Sequence, residues 1–96
     1  MMAPTVDGLR DYLRADPETF QEDMAGVCLA AARGYLEGAE CEEDGSDLYC
    51  LCCYMLAGHW YLNRGTVVIG VVQGPVAYGV QSIIHLIRTY KDNPDM

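Results

Sequence analysis

Apolar residues recur at helical spacing in four parts of the chain, which predicts four helices. The first predicted helix runs from about Thr5 to Arg14, with Thr5 as its cap. The second begins at Pro17, after Asp16 as N-cap, and continues to about Glu37. Its apolar stripe consists of Phe20, Met24, Val27, Cys28, Ala31 and Tyr35.

The third predicted helix is apolar on two adjacent faces. Ser46 can cap it, and it continues to about Arg64. One stripe holds Leu48, Cys52, Met55, His59 and Leu62, and the stripe beside it holds Tyr49, Cys53, Leu56 and Trp60. A helix of this kind is covered from both sides, so we expect it to be central. The fourth helix is predicted from about Val80 to Tyr90, with Val80, Ile83, Ile84 and Ile87 on one face.

A long apolar segment, residues 65–79, separates the third and fourth predicted helices. Most of its first half is β-branched, which favours extended backbone, and its glycines and Pro75 argue against a regular helix. An uncharged extended segment left in water promotes aggregation. It is either a buried hairpin or, in the interpretation that we prefer, a contact with a neighbouring subunit. The residues expected at that contact are Thr66, Val67, Val68, Ile69, Val71 and Val72. Aspartate at Val68 and Ile69 should then abolish assembly and leave helicity intact.

The chain has 96 residues, which predicts one domain over residues 1–96. The fold class is all-α: a small bundle of about four helices with a long apolar loop before the last. A domain this short is marginally stable alone, and disulfides, a metal or a partner subunit commonly add stability. Five cysteines, an odd number, argue against a complete disulfide framework. No signal peptide or membrane span is recognisable, so we expect free thiols in a reducing cytoplasm.

The formal net charge of −8 argues against binding to nucleic-acid phosphates. The acidic residues cluster in residues 16–23 and 37–47. The simplest interpretation is a solvated surface. Two others are a surface that lies near DNA without holding it, and a DNA mimic that occupies a basic groove on another protein.

No constellation of residues predicts catalysis. Cys50 and Cys53 form a C-x-x-C pair that could hold a metal with Cys41 or His59, but no second ligand pair follows. A redox dithiol lacks its strand–helix context. We therefore interpret the cysteines as small buried apolar residues. His59 lies about 10 Å along the helix from Cys52, too far for a nucleophilic pair. We expect no enzyme, no metal and no cofactor.

One sequence element is more specific for a protein family than any feature described above. It is His59-Trp60-Tyr61-Leu62-Asn63-Arg64, near the end of the third predicted helix. With Tyr12-Leu13-Arg14, Tyr35-Leu36-Glu37 and the segment from Pro75 through Gly79 to Tyr90, it resembles the head–tail connector family of tailed bacteriophages, also called head-completion or adaptor proteins. All five fixed positions of the family's His-Trp-Tyr-x-Asn-Arg motif are matched. The spacing from Pro75 to Gly79 is longer than usual, and the cysteine-rich start of the third helix and the acidic loop depart from the family pattern.

The resemblance implies a helical virion subunit that forms a ring, commonly twelvefold, beneath the portal protein. Such a ring bridges the portal to tail or stopper proteins, and double-stranded DNA passes through its channel without specific binding. We therefore expect assembly in the host cytoplasm, final location at the head–tail interface of the virion, and no membrane partner. The motif residues expected to matter are His59, Trp60, Tyr61, Asn63, Arg64, Pro75 and Gly79. We expect Trp60 and Tyr61 to fix the third helix against the others and Arg64 to pair with Glu37. The alternative function is the acidic DNA mimic.

Overall fold

The computed structural model describes residues 3–41, 43, 45–63, 69 and 75–92, and within the last range it describes side chains from Gly79 to Thr89. These residues form four α-helices, α1 (Val6–Leu13), α2 (Glu22–Gly38), α3 (Asp47–Leu62) and α4 (Pro75–Asp92), and no strand occurs among them. The predicted all-α fold of four helices is therefore confirmed.

Helix α1 begins and ends where the sequence predicts. The Thr5 hydroxyl oxygen accepts a hydrogen bond from the Gly8 backbone N–H at 2.9 Å, which satisfies one free donor of the first turn. The helix ends at Leu13, because the next residue, Arg14, has a left-handed φ of 53° that terminates the regular backbone pattern. Leu9, fully buried, faces the other helices.

Helix α2 begins at Glu22, five residues later than predicted from Pro17. Asp16 does act as a cap, but of an isolated turn: its carboxylate accepts from the Glu18 N–H at 2.9 Å. The helix cannot start there because the Gln21 N–H donates to the Tyr61 hydroxyl rather than to the carbonyl four residues earlier. The start of α2 is thus set by a contact with α3.

The buried side of α2 also differs from the predicted stripe. Val27 was expected on the inward face, yet its exposed fraction is 54%. The buried positions are Ala25, Cys28, Leu29, Ala32 and Leu36. Because small alanines lie on this side, α3 can approach closely there, and the inward face is rotated away from Val27.

Helix α3 is the central element, as predicted. It contacts α1, α2 and α4, and the Ser46 hydroxyl caps it by accepting from the Tyr49 N–H at 3.2 Å. Its buried residues lie on several sides: Tyr49, Cys50, Cys52, Cys53, Leu56, Ala57, Gly58, Trp60 and Tyr61. The core around it is apolar, and no charged or polar side chain is buried within the described ranges.

Helix α4 begins at Pro75, so the prediction that the non-helical segment extends through residue 79 was wrong. A proline is well tolerated at the first helical position, where its missing N–H would have had no partner. Val80, Ile84 and Ile87 are buried and Ile83 is partly buried, in agreement with the predicted inward face. The predicted apolar loop falls mostly on residues outside those described.

Candidate assembly site

The family-like element lies at the end of α3, where Asn63 closes the helix. The Asn63 backbone N–H and its side-chain amide both donate to the His59 carbonyl oxygen, at 3.1 and 2.8 Å. The amide nitrogen is also 3.4 Å from His59 Nδ1. Two donors on one carbonyl fix the last turn of α3 and hold the His59 ring beside Asn63.

The two aromatic residues of the element face the interior. Trp60 is fully buried, and Tyr61 is 7% exposed. The ring centroid of Tyr61 lies 5.1 Å from that of Phe20, and its hydroxyl accepts the Gln21 N–H at 2.9 Å. Tyr61 therefore joins α3 to the segment that leads into α2, through both an aromatic contact and a hydrogen bond.

The remaining predicted motif residues are described in part. Pro75 is the first residue of α4, and Gly79 lies in the same helix against α3: a Cβ atom there would be 3.1 Å from Met55 Cε. Glu37 is exposed and lines a cleft of about 280 Å³ with Arg33 and Glu43. Arg64, its expected partner, lies outside the described residues, so the Arg64–Glu37 pair stays a prediction.

Of the residues expected at the subunit contact, only Ile69 is described. Its side chain is partly buried and packs against the core of its own chain. Only part of Ile69 is therefore free to contact a neighbour, and aspartate at this position would disturb the subunit itself. Thr66, Val67, Val68, Val71 and Val72 lie outside the described residues.

All five cysteines are buried and none forms a disulfide, as expected for small apolar residues. Burial raises the pKa of Cys52 to about 12 and that of Cys53 to about 11, although a hydrogen bond with Tyr49 opposes the shift at Cys53. The same burial raises the pKa of Tyr49. The thiols of Cys52 and Cys53 are therefore protonated at neutral pH. Within the described part of the chain, no three His, Cys, Asp or Glu residues cluster to hold a metal.

Charge is distributed unevenly along the chain. Residues 1–47 carry twelve acidic and three basic residues, whereas residues 48–96 carry two acidic and three basic residues. The described acidic side chains of the first part are exposed. Arg33 pairs with Glu43 at 3.2 Å and also donates to the Pro4 carbonyl oxygen, and Arg88 pairs with Glu40 at 3.5 Å. Such exposed pairs contribute little to stability.

Exposed leucines of α3 and α4 are the feature that the sequence analysis missed. Leu51, Leu62 and Leu86 are 41%, 67% and 42% exposed, although Leu62 was placed on an inward stripe. The signal lies in the sequence: between Asp47 and Arg88, Arg64 is the only Asp, Glu, Lys or Arg residue. A stretch of this length and composition exceeds what a small core can cover.

None of the helices, over the residues described, has the length and apolar character required to cross a membrane. Comparison of the chain with models of known protein families, with curated proteins and with solved structures finds no match.

Proposed function

We propose that this chain is a structural, non-enzymatic head–tail connector subunit of a tailed bacteriophage. It assembles in the host cytoplasm into a ring under the portal protein, and in the virion it bridges the portal to tail or stopper proteins. The observation that carries the proposal is the His59-Trp60-Tyr61-Leu62-Asn63-Arg64 element, at the end of the central helix of a four-helix fold. The proposal rests on this resemblance together with the physical features below.

The burial of the element supports a structural role rather than a chemical one. Trp60 and Tyr61 pack inside the subunit, and Asn63 is bonded to the backbone of α3. These side chains fix the helix end from which the chain leads into the apolar segment 65–74. In the proposed ring, residues of that segment, Thr66 to Val72, contact the next subunit through a heterologous interface that closes.

The charge of the subunit suits a channel through which DNA passes. Exposed carboxylates on α1, α2 and their connections repel phosphates, so double-stranded DNA would not adhere to a ring lined by them. The connector needs neither a cofactor nor a membrane partner. A ring of about a dozen subunits fits the symmetry expected of a portal neighbour.

The experiment is capture of the purified chain by the portal ring of the phage that encodes it. Light scattering after gel filtration would give the mass of the chain alone, and electron microscopy would show added density at one end of the portal. Stoichiometric binding at that end is the expected result. The proposal is contradicted if the chain does not bind its portal ring under conditions in which a known connector protein binds its own portal ring.

The DNA mimic remains the second candidate, because twelve of the fourteen acidic residues lie in the first 47 positions and those that are described there are exposed. A mimic would bind a basic DNA-binding protein and compete with DNA for it. Neutralising Glu18, Glu22 and Asp23 as Gln, Gln and Asn should weaken binding by a mimic strongly but leave capture by the portal almost unchanged. The same triple variant therefore separates the two functions.

A further inference from the structure

Three of the five exposed large apolar side chains among the described residues, Leu51, Leu62 and Leu86, belong to α3 and α4. On α3, Leu48, Leu51, Met55 and Leu62 are spaced by three, four and seven residues, which places them on one side of the helix. Leu51 and Leu62 are exposed there, by 41% and 67%, and Leu48 and Met55 are partly buried. Next to this stripe, helix α1 crosses α3 at Gly58, where a Cβ atom would lie 3.0 Å from Leu13 Cδ2.

A second apolar stripe lies beside the first, on α4. Gly79, Ile83 and Leu86 are spaced by four and three residues and share one side of that helix. Met55 Cε approaches Gly79 closely, so the two stripes adjoin. We call the surface formed by Leu48, Leu51, Met55, Leu62, Ile83 and Leu86 the neutral face.

The direction of α4 makes the neutral face continuous. Gln81 lies 3.5 Å from the Tyr35 hydroxyl, and Arg88 lies 3.5 Å from Glu40, so α4 runs alongside α2 in the same direction. Helices α2 and α3 are joined by a short connection and pack against each other, so α4 is antiparallel to α3. From the Met55–Gly79 contact, Ile83 and Leu86 therefore extend beside the first half of α3, where Leu51 lies.

The charge pattern restricts what can cover this face. The neutral face lies entirely in the stretch between Asp47 and Arg88, whose only Asp, Glu, Lys or Arg residue is Arg64, on a protein with a formal net charge of −8. Two copies that met through their acidic first parts would place carboxylates against carboxylates. An apolar and uncharged surface of one copy avoids that repulsion when it meets an uncharged surface of another copy.

We propose that the neutral face of one copy binds the segment Thr66–Val72 of a second copy. This inference rests on the proposed connector function and names the receiving surface of its ring contact. The segment is uncharged and mostly β-branched, so it matches the neutral face in chemistry. The two surfaces are different, and a contact between different surfaces forms a ring when the rotation from one subunit to the next closes.

The size of the face predicts a weak single contact. Helix α3 has 16 residues and is about 24 Å long, and two packed helices are about 20 Å wide, so the face covers on the order of 500 Å². A stable interface commonly buries about 800 Å² on each partner. One contact is thus weak, and a closed ring, in which each subunit makes two contacts, is stable.

Single aspartate variants test the two surfaces. Leu51→Asp changes the neutral face, Val68→Asp changes the segment, and Val27→Asp is the matched control, because Val27 is exposed on α2 away from the face. Sedimentation over concentrations up to about 1 mM should show that the wild-type and Val27→Asp chains associate alike. Leu51→Asp and Val68→Asp should each associate at least about tenfold more weakly. Circular dichroism checks folding, and Leu86→Glu replaces Leu51→Asp if that variant unfolds.

Mixing the two defective variants tests whether the surfaces bind each other. The Val68→Asp chain keeps an intact neutral face, and the Leu51→Asp chain keeps an intact segment. At concentrations near about 1 mM, where a single weak contact can form, an equimolar mixture should therefore give a heterodimer that cannot grow, although each variant alone associates at least about tenfold more weakly than the wild type.

Three results would overturn the inference: a Leu51→Asp chain that assembles like the wild type, a mixture that stays monomeric, or a wild-type chain that is monomeric up to about 1 mM. None of these results decides the connector function, which capture by the portal ring tests separately. Rings that form without the neutral face would leave that function standing and place the interface elsewhere.

Discussion

The hydrogen bond from the Gln21 backbone N–H to the Tyr61 hydroxyl joins the start of α2 to α3, at 2.9 Å in a partly buried setting. Tyr61→Phe removes the hydroxyl and keeps the ring that packs on Phe20. The Gln21 N–H then loses this acceptor, and because the site is only partly buried, water can replace part of the bond. We expect the free energy of unfolding to fall by about 1 kcal/mol. For a domain of this size, that corresponds to a melting temperature lower by about 4–8 °C.

The assay is thermal and urea unfolding followed by circular dichroism at 222 nm, with Tyr12→Phe as the matched control. Tyr12 is 46% exposed and its ring stacks on Tyr54, so loss of its hydroxyl should change stability by less than about 0.5 kcal/mol. If Tyr61→Phe and Tyr12→Phe have the same stability within error, the hydroxyl of Tyr61 does not hold the start of α2, and the explanation given for the late start of that helix is wrong.

Two further predictions concern α3. Ser46→Ala removes the cap on the Tyr49 N–H and should lower the free energy of unfolding, measured in urea, by about 1 kcal/mol. The control Ser82→Ala, at an exposed position inside α4, should be neutral or slightly stabilising. Equal effects of the two substitutions would mean that the cap contributes nothing. Burial raises the pKa of Cys53 to about 11 and that of Cys52 to about 12 in the folded state, whereas both are near 9 in the unfolded chain. The contribution of the protonated thiols to stability is therefore complete below pH 9. It is lost as the pH rises through the pKa values of the folded state. The urea concentration at half-unfolding should therefore decrease as the pH is raised from about 8 to about 10.5, and it should decrease less steeply in Cys52→Ala. If the pH dependence of Cys52→Ala equals that of the wild type, ionisation of Cys52 does not cause the decrease.

Local signals in the sequence were sufficient to predict that four helices exist and which residues cap two of them. Thr5 and Ser46 each precede an apolar periodic run, and a side-chain cap acts within three residues, so no tertiary information was needed. The start of α2 could not be predicted this way, because the acceptor of the Gln21 N–H is Tyr61, forty positions away in the chain. Contacts between distant residues override local capping preferences.

The start of α4 was missed for a different reason. Glycine and proline were both interpreted as helix breakers, but Pro75 occupies the first helical position, where it is tolerated. Gly79 is helical because α4 lies against α3 at that point, with Met55 Cε close to where a Cβ would be. Close helix packing favours glycine despite its low helix propensity, and that packing is not visible from spacing alone.

The candidate site was predictable in part. The position of the His59–Arg64 element on the third helix follows from its apolar periodicity, and the end of α3 at Leu62 agrees within two residues. The neutral face was not predicted, because an exposed leucine and a buried one have the same periodicity. Which side of α3 stays uncovered is set by where α1 and α4 pack, at Gly58 and Met55.

The central position of α3 has a consequence for synthesis on the ribosome. Helix α2 is complete at Gly38, whereas its main packing partner α3 is complete only at Leu62, about 24 residues later. At a synthesis rate of about 5–20 residues per second, the apolar side of α2 remains without its packing partner α3 for about 1–5 s. During that interval the emerged chain is the strongly acidic part, with twelve carboxylates in its first 47 residues. Repulsion between nascent chains on neighbouring ribosomes then opposes aggregation until α3 emerges and the core closes.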